Sequence, residues 1–512
     1  MSQLRIMLGV LLLGAGAASP TPAADAPRSA TALTIYSSAQ PGAIPADWYR
    51  PLPESIGGPP QTPRLPGYAV VKQERPIEIK AGRDTIRFSD VAALIDPTTV
   101  TFESLSDSKG TRVLDQNYQF DLVSSAKLME RYIDRPITVE RVEGDHVSTT
   151  TGTLLSTQGG LVLRTADGVQ VINGYSNVRF PDLPGGLITR PTLVWDVESA
   201  GGGTQPTRVS YQTGGMTWWA DYNVVFSEGK DANSGALDVG AWVSIINQCG
   251  ASFDDAKLKL VAGEVHRAQQ QADFGAPESK LAMGRVTGGG FVEKAFFEYH
   301  LYTLGRPVTL PQNSTKQIEL FPVARGVPCE KVLVYYGLGS RFLGSFADPV
   351  TDRSYGGGGN KKVDVYLRFR NDEKSGLGIP LPAGRIRVSK RDPADQSLEF
   401  IGEDTIDHTP RDERVQIALG TAFDVVGERR QADFRVDTSR RTIDEKIEIE
   451  LRNQKSEPVK VIVKENLYRW VNWEITAKSH AFEKTDSRTI EFPVTVAPGR
   501  PLKLSYTVHY SW

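Results

Sequence analysis

The sequence is poor in the residues that most often carry chemistry. It has two cysteines and six histidines among 512 residues. Two cysteines exclude a disulfide-rich scaffold and a zinc site built from four cysteines. The histidines are dispersed, and no two of them form a zinc-ligand spacing with a nearby cysteine or acid. They are His146, His266, His300, His408, His480 and His509. We therefore predict no metal and no cofactor.

Long apolar runs are also missing. Beyond the N-terminus, no stretch approaches the roughly 18 residues that a membrane-spanning helix requires, so we predict no transmembrane helix. The short apolar run at 6–18 follows Arg5 and leads to small residues before Asp25, which is the layout of a secretory signal peptide. We predict that 1–24 is a signal peptide and that the exported chain is periplasmic or extracellular.

Neither sign of charge is in excess, because the formal net charge is −2. A nucleic-acid-binding protein needs a concentrated basic face, so no nucleic-acid partner is predicted. The chain also has no Gly-x-Ser-x-Gly motif, no P-loop spacing and no complete dinucleotide fingerprint. These absences favour a protein without enzymatic activity.

The chain is rich in turn-forming residues, with 48 glycines and 32 prolines, and its apolar residues often alternate with polar ones. Ile447, Ile449 and Leu451 alternate with charged residues, and the valines at 459, 461 and 463 repeat this pattern. A period of two indicates strands with one buried face. We predict an antiparallel hairpin around the turn at 453–458 and an all-β, multi-domain fold.

The changes in composition along the chain predict its domain organisation. The predicted ranges are a signal peptide (1–24), a Pro-rich linker with one strand at 33–36 (25–66), an N-terminal β unit (67–123), a small SH3-like barrel with a leading helix (124–185), and two regions of antiparallel β-sandwich with immunoglobulin-like packing (190–355 and 360–512).

The two cysteines, Cys249 and Cys329, are an even number in a chain predicted to reach an oxidising compartment. We predict that they form a disulfide. It would close a loop of about 80 residues and stabilise the fold by roughly 4–5 kcal/mol in the chain-entropy model. The alternative is two separate buried thiols.

Four segments carry a resemblance to a known family. They are MTWWADY at 216–222, NQCGASFDDAKLKLVAG at 247–263, AFDVVGER at 422–429 and the stretch at 470–475. The region from Thr192 onward resembles the C-terminal domain of bacterial mucoidy-inhibitor-A-like proteins, a domain of unknown function. The resemblance implies an all-β envelope protein and supplies no catalytic residues. The long coiled coil of better-known members is missing here, so no partner of that coiled coil is implied.

Two groups of residues are candidate sites. Asp424, Glu428 and Asp433 form an acidic cluster that could act as a glycosidase carboxylate pair, or could simply face water near a turn. The aromatic candidates for stacking on sugars or anchoring a protein are Trp218, Trp219, Tyr468, Trp470 and Trp473. The alternative for these rings is core packing. Because neighbours on a strand face opposite sides, one ring of the 218–219 pair is expected to be exposed.

These observations together predict a non-catalytic binding or scaffolding protein of the cell envelope, with an envelope protein or a glycan as partner. One alternative is a glycan-processing hydrolase that uses the carboxylates near Asp424. The other is an outer-membrane β-barrel, because Leu504 to Trp512 alternates like the last strand of such a barrel.

Overall fold

A computed structural model describes residues 30–36, 39, 44–45, 48, 65–143, 146–263, 291–296, 299–338, 347–356 and 359–512. The predicted signal peptide and most of the predicted Pro-rich linker lie outside the described residues. Within the described ranges, no helix has both the length and the apolar character that crossing a membrane requires.

Strands dominate these residues. The single α-helix among them, α1, spans Ser125–Arg131, and a short 3-10 helix spans Glu373–Ser375. The strands are β1 (Ala30–Tyr36), β2 (Tyr68–Ile79), β3 (Gly82–Ser89), β4 (Ile95–Ser104), β5 (Thr111–Gln119), β6 (Pro136–Glu143), β7 (His146–Ser156), β8 (Leu161–Thr165), β9 (Gly168–Ile172), β10 (Asn177–Arg179), β11 (Thr192–Ser199), β12 (Gly203–Thr213), β13 (Met216–Glu228), β14 (Ser234–Asn247), β15 (Phe253–Ala262), β16 (Phe291–Phe296), β17 (Tyr299–Leu304), β18 (Val308–Leu310), β19 (Ser314–Tyr336), β20 (Lys362–Arg370), β21 (Gly384–Arg391), β22 (Leu398–Ile406), β23 (Arg414–Asp437), β24 (Thr442–Asn453), β25 (Val459–Asn466), β26 (Trp473–Lys478), β27 (Glu483–Lys484), β28 (Thr489–Val496) and β29 (Leu502–Ser511). The prediction of an all-β fold is confirmed.

The strand predicted at 33–36 is observed as β1, which enters a sheet built from later parts of the chain. It pairs in parallel with β15 and antiparallel with β2. Leu33 and Ile35 are fully buried, as the alternation of apolar residues requires. The sheet runs β16-β17-β15-β1-β2-β12-β4, and β18 pairs with β15 beside this path.

Strands from the predicted N-terminal β unit and from the predicted sandwich at 190–355 share sheets. Strand β12 lies between β2 and β4, and β11 lies between β3 and β5. Their apolar side chains, such as Phe88 and Trp195, belong to one large core. The two ranges therefore pack around one core. The predicted domain boundary between them remains a prediction.

The region 124–185 has the predicted order of a helix followed by five strands. Ser124 caps α1 by accepting a hydrogen bond from the Lys127 backbone N–H. The strands form an antiparallel sheet in the order β10-β6-β7-β8-β9, around a small core that includes Tyr132 and Leu154. Strands β10 and β9 are the sheet's two edges, so the small barrel is open rather than closed among the described residues.

The largest sheet joins two cores through two long strands. Its main path is β22-β21-β13-β14-β19-β20-β23-β24-β29-β26, with β25, β28 and β27 branching from β19. Strand β19 contributes Leu320 to the first core and Tyr335 to the second. Strand β23 likewise contributes Ile417 to the first and Val425 to the second. Both predicted sandwich regions therefore share this sheet.

The hairpin predicted around 453–458 is wrong, although the alternation that suggested it is observed. Strand β24 pairs with β23 and β29, whereas β25 pairs with β19 and β28. The Asn453 side chain donates to the carbonyls of Glu457 and Val496, at 2.9 and 3.0 Å. These bonds stabilise the connection that leads from β24 to β25, which are not paired with each other. The buried residues of both strands nevertheless belong to the same second core.

The predicted disulfide is also wrong. Cys249 and Cys329 are free and buried. Cys329 pairs in register with Gly235 near the start of β14, whereas Cys249 follows Asn247 at the far end of that strand. Those two points lie roughly 40 Å apart at the rise of a β-strand, far beyond the reach of a disulfide.

Candidate functional site: an outer sheet face

The predicted acidic cluster is spread along β23 rather than gathered at one point. Asp424, Glu428 and Asp433 are all exposed. Glu428 lies 3.5 Å from Arg452, and Asp433 lies 3.3 Å from Arg435. Ion pairs this exposed contribute little to stability. The cluster therefore has the geometry of a solvated strand face.

Buried charges lie directly beside this cluster. The side chains of Arg429 and Glu465 are 1% and 0% exposed, and their Nε and Oε2 atoms are 2.9 Å apart. Tyr506 donates its hydroxyl to the same carboxylate oxygen at 2.5 Å. Burial opposes the charge of Arg429, but Glu465, Tyr506 and Glu445 raise its pKa above the ordinary value. Arg429 is therefore a permanent cation in the second core.

A second buried pair lies beside the first and holds a loop segment. Arg469 Nη2 donates to Glu445 Oε1 at 3.0 Å, and both side chains are fully buried. Arg469 also donates to the carbonyls of Val350, Asp352 and Tyr355, each at 2.9 Å. Arg429 adds a bond of the same length to the Gly356 carbonyl. We call these four charged side chains the buried charge network. Its contacts tie the loop at 350–356 to the second core.

Neither member of the 218–219 tryptophan pair is exposed, so that expectation is wrong. Each ring is 2% exposed. Trp218 faces the first core, with its ring 6.3 Å from that of Tyr302. Trp219 faces the opposite side, as alternation requires, but Leu65 and Trp48 cover it there.

The other predicted aromatics belong mostly to the second core. Tyr468 is buried and donates its hydroxyl to the Tyr355 carbonyl at 2.7 Å. Trp470 and Trp473 are partly buried against the same core. The Trp473 indole donates to the Ser487 carbonyl at 2.9 Å, and the Lys484 ammonium lies 4.6 Å from its ring centroid. These rings serve mainly in packing, which was the alternative interpretation of the sequence.

The sheet face that carries Trp219 also exposes a different tryptophan, which the sequence did not single out. Trp242 on β14 is 39% exposed. It lies in register with Asp221 on β13 and Glu319 on β19, and Asp221 is in turn in register with Arg385 on β21. Residues in register point to the same side of a sheet. We call this surface the Trp242 face.

Asp221 is the fixed centre of the Trp242 face. Its side chain is nearly buried, and its Oδ2 accepts hydrogen bonds from the Trp219 indole and the Ser244 hydroxyl, both at 2.8 Å. Its Oδ1 accepts a bond from Arg385 at 3.2 Å. Gln317 extends the row by donating to Ser244 at 3.1 Å. A carboxylate with this many partners holds its neighbours in place.

The remaining charges of the Trp242 face balance one another. Arg387 lies 3.8 Å from Asp221 and donates through Nε to Glu403 at 2.7 Å. Val323 lies over Gly240, two residues from Trp242 along β14, and is 43% exposed. The face therefore combines a flat aromatic ring, a small apolar strip and planar charged groups of both signs.

Two signals in the sequence could have found Trp242. Alternation along β13 places Asp221 on the same side as Trp219. The β13–β14 hairpin then sets Trp242 opposite Asp221, but this register depends on the loop between the strands. The side to which Trp242 points was not evident from β14 alone, because the residues that follow it do not alternate between apolar and polar. Val243, Ile245 and Ile246 are all buried.

The chain matches no family model and no curated protein. Among the described residues, no group of three or more histidine, cysteine, aspartate or glutamate side chains is placed to hold a metal ion. By its fold, the chain is an all-β protein with several antiparallel sheets.

Proposed function

We propose that the chain is a non-catalytic binding or scaffolding protein of the cell envelope. The observation that supports this proposal is the Trp242 face. Its exposed ring lies beside charged groups that a buried carboxylate holds in place. Binding surfaces commonly combine a partly exposed aromatic side chain with polar groups in fixed positions.

The charged side chains buried in the second core have a structural role. The buried charge network bonds to itself and to the backbone of the loop at 350–356. These charges are engaged in holding the fold. The envelope location rests on the signal peptide pattern at 1–24 and on the resemblance to the mucoidy-inhibitor-A-like domain, and both remain predictions.

The proposal is tested by co-sedimentation of the purified exported chain with isolated bacterial envelopes. We expect the wild-type chain to sediment with them and Trp242→Ala to remain largely in the supernatant. Phe423→Ala is the matched control, because Phe423 is 95% exposed on β23 and lies outside the Trp242 face. Equal sedimentation of all three chains would show that the Trp242 face does not carry the binding. If none of the chains sedimented, the proposal would be contradicted.

The hydrolase alternative has its own test. The purified chain is incubated with glycan, ester and peptide substrates, and products are measured by mass spectrometry. We expect no turnover. Turnover that Asp424→Ala abolishes would replace the binding proposal with a catalytic one.

A further inference from the structure

We propose that the Trp242 face binds an oligosaccharide, with one sugar ring stacked on the Trp242 indole. This inference rests on the proposed binding function and adds the chemical class of the ligand. A sugar presents a small apolar C–H surface surrounded by hydroxyl groups. A matching protein surface needs one flat apolar platform with donors and acceptors around it.

The platform consists of Trp242 and Val323. They are 39% and 43% exposed, and Val323 lies over the glycine two residues before Trp242 on the same side of β14. On neighbouring strands, the side chains in register with Trp242 are Asp221 and Glu319, which are polar. The apolar area is therefore about the width of one ring, which fits a sugar better than a series of apolar peptide side chains.

The rim supplies donors and acceptors in fixed positions. Arg387 is partly exposed, and its contacts with Glu403 and Asp221 orient its guanidinium. Gln317 is exposed and is oriented through Ser244 by the same buried aspartate. A hydroxyl group both donates and accepts, so it pairs equally well with guanidinium, amide and carboxylate groups. Pre-positioned groups lose little entropy when a ligand binds.

The balance of charge on the face distinguishes a sugar from a polyanion. Two arginines, at 385 and 387, stand against acidic groups at 221, 319 and 403. A nucleic acid or another polyanion would require an excess of positive charge. A neutral glycan has no such requirement.

The face continues toward a second aromatic residue. Trp219 precedes Asp221 by two residues on β13, so both point to the same side, and the Trp48 ring packs over Trp219 with centroids 6.5 Å apart. Trp48 is partly exposed. Two aromatic positions along one sheet face suit a chain of sugars rather than a single one.

The test is isothermal titration of the full exported chain with three neutral probes: chitohexaose, cellohexaose and maltohexaose. We expect at least one to bind. Trp242→Ala should then lower the affinity about tenfold or more, and Arg387→Met by roughly three- to tenfold. Phe423→Ala should leave it unchanged. Urea unfolding of each variant checks that it is folded.

The outcomes separate the two levels of the proposal. If no hexasaccharide binds but the chain still co-sediments with envelopes in a Trp242-dependent manner, the ligand is not a neutral glycan and the binding function stands. A protein or peptide ligand would give this result. If binding occurs but Trp242→Ala does not weaken it, the assignment of this face is wrong. If neither glycan binding nor co-sedimentation occurs, both proposals fail.

Discussion

The buried charge network allows a sharp prediction about stability. Replacing Arg429 with methionine removes a cation whose side chain is 1% exposed, while its partner Glu465 remains at 0% exposure. Among the residues that the structure describes, the carboxylate would then keep only the hydroxyl of Tyr506 as a donor. The Gly356 carbonyl would also lose its bond to the guanidinium.

The expected cost follows from the difference between breaking a buried pair and replacing it. Removing one partner leaves an uncompensated buried charge, which costs about 3–5 kcal/mol. Replacing both partners with apolar residues removes both desolvation penalties and is often nearly neutral. The Glu465 Oε1 atom is buried without a hydrogen-bond partner among the described residues, so the native pair is incompletely satisfied. We therefore expect the double variant Arg429→Met, Glu465→Leu to lose less stability than the single variant.

Urea unfolding followed by circular dichroism measures both effects. Arg430→Met is the matched control, because Arg430 adjoins Arg429 on β23 and pairs with Glu448 on the exposed face. That change should cost less than about 1 kcal/mol. A similar loss for Arg429→Met and Arg430→Met would refute the reasoning. So would a double variant that loses as much stability as Arg429→Met alone, or more, because removing the second charge would then give no compensation.

Three further predictions concern the rest of the fold. In urea the chain should titrate with two thiols, whereas in the folded state both should react slowly at pH 8, because burial raises the pKa of Cys249 and of Cys329 from 9.0 to about 12. Since the folded pKa values are raised, the stability that these thiols contribute is present below about pH 9 and lost as pH rises toward 12, and a titration that finds no thiols would restore the disulfide. Gly427→Ala should destabilise by about 1–3 kcal/mol in urea unfolding, because a Cβ there overlaps a tyrosine ring, whereas Gly185→Ala, with nothing nearby, should stay within about 0.5 kcal/mol. Trp48→Ala should increase hydroxyl-radical oxidation of Trp219, measured by mass spectrometry, because it uncovers the ring beneath it, and unchanged oxidation would contradict that packing.

Local pattern predicted the strands of the second core well, because alternation depends only on neighbouring residues. The buried positions of β24 and β29 include Ile447, Ile449, Leu504 and Tyr506, as their spacing of two requires. Pairing was not predictable in the same way. Strand β24 has both its edges occupied, one by the preceding strand β23 and the other by the distant strand β29, and nothing within the turn at 453–458 indicates this.

The alternation of residues did contain a signal for the buried charges. Glu445 stands between Ile443 and Ile447 on the inward side of β24, and Glu465 continues the inward series of Val461 and Val463 on β25. A charge at an inward position predicts a buried partner of opposite sign. The identity of that partner depends on the tertiary fold. The covering of Trp219 likewise depends on a segment more than 150 residues away, so its burial could not be predicted from strand pattern alone.

The continuity of β19 and β23 has a mechanical consequence. Each strand begins in one core and ends in the other, so the two cores are connected by unbroken backbone within one hydrogen-bonded sheet rather than by a hinge. A force that pulls the cores apart along these strands would load many ladder bonds in shear at once. The cores should then rupture together as one tall event in a single-molecule pulling experiment. A protein that carries load between two attachment points in an envelope would benefit from that stiffness.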